Sequence, residues 1–355
     1  MDAESVTLPG GEELVVRTML PPLLEYAERV DCWADVREEV LGGQLSSWLF
    51  TPYFVGEMES EVAGSMSYFT SADASDVGVV EFVTTGENYR RKGVATVLLE
   101  RLVSHFRARG GQALYLCTTN PAAGTLYEKL GFRYYVGDGM RYVAGDPEDF
   151  DATYLGHCGR AHVRDATWAD LARASLLFNH PAPGWFVKDY HTRCFRHTRF
   201  ESHFVYWMKQ TANRKGAAVA LENPAGRLVG AAALVRENTY FEQHVAGLSF
   251  RVCPAYMDQG PELLEAAAAK AGELGIGILQ VRVADCDEDQ KQLVSKAGFR
   301  EEARLRRQLR DGDEWQDLLV YNRQLASNPA PCSSKEEYYG SRKAWQSERL
   351  STPNP

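Results

Sequence analysis

Hydrophobic and polar positions along the chain change period at a few sharp places, and those changes mark the elements. Residues 13–18 read as a first strand. Residues 23–40, introduced by Pro21-Pro22, read as an apolar and acidic helical stretch. Residues 48–58 and 62–69 form an expected antiparallel hairpin turning at Glu59-Ser60. Val79, Val80, Phe82 and Val83 have the β-branched and aromatic content of a buried strand, which Gly86-Glu87-Asn88 ends. From Val94 the spacing becomes helical. Ala95, Leu98, Leu99, Leu102, Val103 and Phe106 recur every three or four residues, with Glu100, Arg101, Ser104 and Arg107 opposite, until Gly110-Gly111. Residues 113–117 give another short strand. Asn120 then offers an N-cap and Pro121 a first helical position, for a helix that closes at Leu130-Gly131 and carries Ala123, Leu126, Tyr127 and Leu130 on one face. Residues 132–136 and 140–143 supply two closing strands, and Gly145-Asp146-Pro147 ends the set.

The junction between strand and helix carries the chemistry. A helix start leaves about four N–H groups without internal partners, so a loop holding Arg90, Arg91 and Lys92, with Gly93 bare of a side chain, can seat a pyrophosphate on Val94, Ala95 and Thr96. The order Arg90-x-x-Gly93-x-Ala95 resembles the acyl-CoA pyrophosphate loop of the GNAT superfamily of N-acetyltransferases. The run Asn120-x-x-Ala123-x-x-Leu126-Tyr127-x-Lys129-x-Gly131-Phe132 is similar to the second GNAT signature. Together the motifs imply an α+β fold, an acetyl-CoA co-substrate and an amine acceptor. The helical stretch at 23–40 would then lie beside the acceptor.

The second half repeats the first. Tyr256, Gly260, Gly298 and Phe299 each stand 167 positions after Tyr89, Gly93, Gly131 and Phe132. Between them, residues 263–274 and 288–297 read as helices and 278–283 as a strand. Residues 161–164 resemble 14–17 at the shorter offset of 147, so 20 extra residues are expected, within 179–206. At the constant offset Arg90 becomes Met257, Ala95 becomes Glu262, Asn120 becomes Asp287 and Tyr127 becomes Val294. A carboxylate at Glu262 would repel phosphate. The expectation is two tandem GNAT-type domains, each a mixed, largely antiparallel sheet flanked by helices: a catalytic one at 1–150, a degenerate one at 151–327 and a flexible tail at 328–355.

Composition narrows the partners. A net charge of -9 argues against nucleic acid, whose binding depends on clustered Lys and Arg. No apolar run of about 18 residues and no leader-like stretch is visible, so no membrane partner and a cytoplasmic location are expected. Seven scattered cysteines, none in a Cys-x-x-Cys pair, read as reduced thiols. His191, Cys194 and His197, with His203 nearby, match no standard zinc spacing, and no metal is expected. Residues 188–199 could instead form a basic lip that receives an anion, or a solvated face. Oligomeric state is left open.

Acetyl transfer needs a neutral amine, a polarised carbonyl and a proton for the departing thiolate. The resemblance puts Tyr127 near the cofactor sulfur as general acid, Asn120 on the pantetheine arm, and Phe82 and Val83 beside the thioester, with the Val83 N–H polarising its carbonyl. Core packing is the other reading of Tyr127. Glu81, a carboxylate between Val80 and Phe82, is the candidate base; a solvated face or a neighbouring cation would also explain it. A binding module or sensor that holds acyl-CoA without turnover is the alternative to an enzyme.

Overall fold

The structure, a computed structural model, describes residues 2–181, 186–195 and 199–325. The tail expected at 328–355 lies outside these residues, as does His197.

Nine strands make the first sheet: β1 (Asp2–Thr7), β2 (Glu13–Met19), β3 (Leu49–Phe50), β4 (Tyr53–Met58), β5 (Glu61–Ser71), β6 (Val77–Thr85), β7 (Ala113–Cys117), β8 (Arg133–Val136) and β9 (Gly139–Val143). Their order is β1-β2-β4-β5-β6-β7-β9-β8, with β3 paired to β5. Every pairing is antiparallel except β6 with β7. Glu59 and Ser60, both at positive φ, make the two-residue hairpin turn between β4 and β5. Helix α1 (Arg37–Leu41) precedes β3. Helices α2 (Val94–Ala108) and α3 (Pro121–Lys129) lie on one face of the sheet, where Leu98, Leu99, Leu102 and Phe106 meet Phe54, Tyr68, Val80 and Leu114.

Helix α4 (Pro147–Leu155) leads into the C-terminal half. There β10 (His162–Asp165), α5 (Leu171–Asn179), the short hairpin β11 (Val187–Asp189) and β12 (Cys194–Phe195), and α6 (Glu201–Ala212) precede β13 (Gly216–Glu222), β14 (Leu228–Arg236) and β15 (Val245–Val252). Helix α7 (Gly260–Glu273), β16 (Ile278–Ala284), α8 (Glu288–Lys296), β17 (Arg300–Asp311) and β18 (Glu314–Gln324) complete it. The second sheet runs β10-β13-β14-β15-β16-β18-β17, and β15 with β16 is its parallel pair. Without β1 and β3, the first sheet has the same order and the same place for its parallel pair. The extra length of the second half lies between β10 and β13.

The two halves share one core. Phe69, Val77, Val79, Ala113 and Tyr115 on the free face of the first sheet belong to the same buried cluster as Leu171, Leu176, Leu177 and Phe178 of α5 and Trp207 of α6. The expected boundary at 150/151 falls inside α4, whose Phe150 and Tyr154 are part of that cluster.

Two expectations need correction. Residues 23–40 are not one helical stretch but two 3-10 turns, Leu24–Tyr26 and Ala34–Val36, and the five-residue α1. Their apolar side chains serve two different cores: Leu23, Val30 and Leu41 pack with Met19, Tyr53 and Val55, whereas Val36 and Val40 join the shared cluster. No single stripe can do both. Gly145-Asp146-Pro147, read as an ending, instead starts α4, where Asp146 accepts from the N–H groups of Glu148 and Asp149.

Candidate functional site

Strands β6 and β7 pair only at Val77–Val79 and Ala113–Tyr115, after which they run apart. Their separation opens a cleft of about 1240 Å³. Its walls are Val80 to Thr85 of β6, Leu116 to Thr118 at the end of β7, the start of α2, and Asn120, Ala123 and Tyr127 of α3. The β6 wall is irregular. Ser65 pairs with Thr84 and Ser67 with Glu81, so Phe82 and Val83 face Met66 alone, and Phe82 takes a φ of +57°. Such a bulge leaves main-chain groups out of the ladder, here at the cleft surface.

The loop into α2 turns on Arg91 (φ +64°) and Gly93 (φ +97°). A Cβ on Gly93 would stand 3.2 Å from Pro9, and the left-handed backbone itself favours glycine. Gly93 caps α2 without any side-chain bond, and the first internal hydrogen bond runs from the Val97 N–H to the Gly93 carbonyl at 3.1 Å. Val94, Ala95 and Thr96 therefore carry N–H groups without helical partners where α2 lines the cleft, an arrangement that suits an anion. Arg90 and Arg91 border the cleft, while Lys92 pairs with Glu12 at 3.2 Å.

Asn120 caps α3 by accepting from the Ala122 N–H at 3.0 Å. Tyr127 is 5% exposed and packs on Phe132 with ring centroids 5.8 Å apart. Burial pushes its phenol up to about 12, so it stays protonated at neutral pH. Glu81 is buried as well, at 4% exposure. It is ion-paired with Arg199, from the segment just before α6, which lines the cleft together with Ser202.

Among the predicted residues the cleft thus gathers Glu81, Phe82, Val83, Arg90, Arg91, Gly93, Val94, Ala95, Thr96, Asn120 and Tyr127. Sequence reasoning missed Asp31, Trp33 and Cys117, which also line it. Trp33 stands edge-on to Phe82 with centroids 5.0 Å apart. The run at 188–199 was the signal for Arg199, but its members diverge. Lys188 is 1% exposed, donates to Asn179, and is lowered by burial to about 8. The histidines beside it point apart, His191 to the Val235 carbonyl and His203 to Thr192. Among the described residues no group of three or more His, Cys, Asp or Glu could hold a metal, and no helix is long and apolar enough to cross a membrane.

The corresponding place in the second sheet is built differently. Gly260 is helical there, and a Cβ on it would meet Leu293 at 2.6 Å. Glu262 pairs with Arg160 at 2.6 Å. The β11–β12 hairpin and the turn after β11 lie over β15 and β16. The Tyr190 N–H donates to Ser249 at 2.7 Å, its carbonyl accepts from Arg282 at 3.0 Å, and its ring covers Gly247.

The uncapped helix start, the bulged strand and the cleft wall apart from Arg199 and Ser202 fall within one stretch of the chain. Residues 23–132 match the acetyltransferase (GNAT) family. A curated relative, the probable N-acetyltransferase camello of Xenopus tropicalis, is 31% identical over 83 residues, which are 23% of this chain and 38% of that protein. The chain thus spans well under half the length of that relative. Solved structures similar to this chain include a putative acetyltransferase of Salmonella typhimurium with its cofactor acetyl-CoA (18% identity, 50% of this chain and 100% of that one, TM-score 0.41). Another is a phosphinothricin acetyltransferase of Sinorhizobium meliloti in complex with acetyl-CoA (16%, 50% and 95%, TM-score 0.43). Among the described residues no two cysteines form a disulfide.

Proposed function

We propose that the N-terminal half is an acetyl-CoA-dependent N-acetyltransferase acting on an amine of a small molecule or peptide. The uncapped start of α2 facing the cleft carries this reading. Its N–H groups, with Arg90 and Arg91, suit the pyrophosphate, and the space between β6 and β7 suits the pantetheine arm, with Asn120 at its side. The amine nitrogen attacks the thioester carbon and gives up its proton to the Glu81 carboxylate, the carbonyl oxygen gains charge beside the Phe82-Val83 bulge, and the C–S bond breaks as Tyr127 donates a hydrogen bond to the departing thiolate. Glu81 stands at the acceptor end with Asp31, Trp33 and Phe82.

The C-terminal half is proposed to be a degenerate copy, in which the Tyr190 turn, Leu293 and the Glu262 carboxylate take up the cofactor's place. It contributes to the first site through Arg199 and Ser202 rather than holding its own. A cytoplasmic location belongs to the same proposal. The test is release of free CoA by the full chain across a panel of amines. Release with at least one amine supports transfer. Tight acetyl-CoA binding without release for any amine would make the protein a sensor.

A further inference from the structure

Glu81 is a carboxylate in a place that disfavours charge. It is 4% exposed on β6, directly before the bulge. Its cross-strand neighbour Ser67 has its hydroxyl committed to the Pro52 carbonyl at 2.9 Å. A carboxylate so removed from water stays ionised only beside a cation. The cation comes from the other half. Arg199 reaches across the seam to Glu81, its Nε lies 3.6 Å from Glu201 Oε2, and its carbonyl accepts from Cys194. Both carboxylates on it are 4% exposed, whereas the Arg199 side chain is 43% exposed to the cleft.

The remaining ionisable groups of this corner come from several elements. Asp31 lies before α1, Cys117 at the end of β7, Tyr127 on α3, and Glu201 on α6, with Lys188 behind it on β11. Asp31 and Glu201 add negative charge, Cys117 and Tyr127 are neutral thiol and phenol, and Lys188 donates to Asn179.

We propose that Arg199 is a positioning residue: it holds Glu81 as an oriented carboxylate at the acceptor end of the cleft, so the C-terminal half sets the charge state of the N-terminal site. The catalytic consequence rests on the acetyl-transfer reading; the charge control does not. An arginine beside a carboxylate favours its ionised form by about 1–3 pH units, and burial without that cation acts in the opposite direction.

The experiment follows the side-chain carboxyl of Glu81 by ¹³C NMR in the full chain, assigned by difference from Glu81→Gln, in wild type, Arg199→Lys and Arg199→Gln. The titration midpoint should rise by about one pH unit or more in Arg199→Gln and return most of the way in Arg199→Lys. Where an amine is acetylated, the acidic limb of the rate profile should move up with it. A midpoint identical in wild type and Arg199→Gln overturns the proposal. So does a variant that raises the acceptor KM while the midpoint stays in place, since Arg199 would then contact the acceptor. If no amine is acetylated, the transfer reading fails while the NMR titration still decides the charge control.

Discussion

Replacing Tyr127 by Phe separates the phenol's chemistry from its packing. The ring keeps its place against Phe132 and the core between α3 and the first sheet, and only the hydroxyl is lost. Burial has raised that hydroxyl to about 12, whereas a free thiol has a pKa of about 8.5. Full transfer of the proton to a thiolate is then uphill by roughly 3.5 pH units, about 5 kcal/mol at 1.36 kcal/mol per unit. The phenol therefore serves chiefly as a hydrogen-bond donor while charge develops on sulfur. Hydrogen bonds to charged groups contribute about 1.5–3 kcal/mol, which corresponds to a fall in turnover of roughly 10- to 150-fold. Acetyl-CoA affinity and thermal stability should change little. Steady-state rates of CoA release, with calorimetric affinity beside them, read both quantities. Wild-type turnover in Tyr127→Phe would reduce the residue to core packing. A rate loss matched by an equal loss of affinity or of melting temperature would also refute the reasoning.

Asn120→Ala should lower stability by about 1 kcal/mol through the lost cap, and its KM for acetyl-CoA should also rise; a stability loss with unchanged KM would leave Asn120 as a cap alone. His180, bonded to Tyr135 at 2.8 Å across the seam, is lowered by burial to about 4, against about 6.5 in an unfolded chain. The unfolded chain binds more protons in that window, so stability should decline as pH falls from about 6.5 towards 4, by about 3 kcal/mol at most. Urea midpoints at pH 7.5 and pH 5 should show it, and His180→Gln should flatten the difference. A fragment ending at Phe150 would leave Phe69, Val77, Val79 and Tyr115 without α5 and α6. It should aggregate in size-exclusion chromatography; a monomeric fragment that binds acetyl-CoA would show that the halves fold separately.

The parts of the fold that were legible are those whose information is local. The period change at Val94, the Asn120-Pro121 start and the glycines after each helix predicted α2, β7 and α3 to within a residue or two. The same signal was misread at Asp146-Pro147, because an expected domain end outweighed a good N-cap and proline pair. Residues 23–40 failed for another reason: their apolar side chains divide between two cores, which composition does not reveal. In the site, the loop and the uncapped helix start from Arg90 to Thr96 were readable because they are contiguous in the chain. The partner of Glu81 was not, since Arg199 reaches it only through packing of α5 and α6 on the first sheet. At the offset position, Gly260 has a helical backbone and a side-chain neighbour in Leu293 in place of the left-handed turn found at Gly93.

Titration of acetyl-CoA into the full chain, with Ala95→Glu as its partner, tests the central claim most directly. Glu at position 95 copies the residue at the corresponding Glu262 and sets a carboxylate in the first turn of α2, on the proposed pyrophosphate seat. At about 6 Å and an effective dielectric of about 20–40, each like-charge pair costs about 1–3 kcal/mol, so affinity should fall by roughly 100-fold or more. One acetyl-CoA per wild-type chain, and little or none on Ala95→Glu, is the predicted result. Two equal sites, no binding to wild type, or unchanged binding to Ala95→Glu would contradict it.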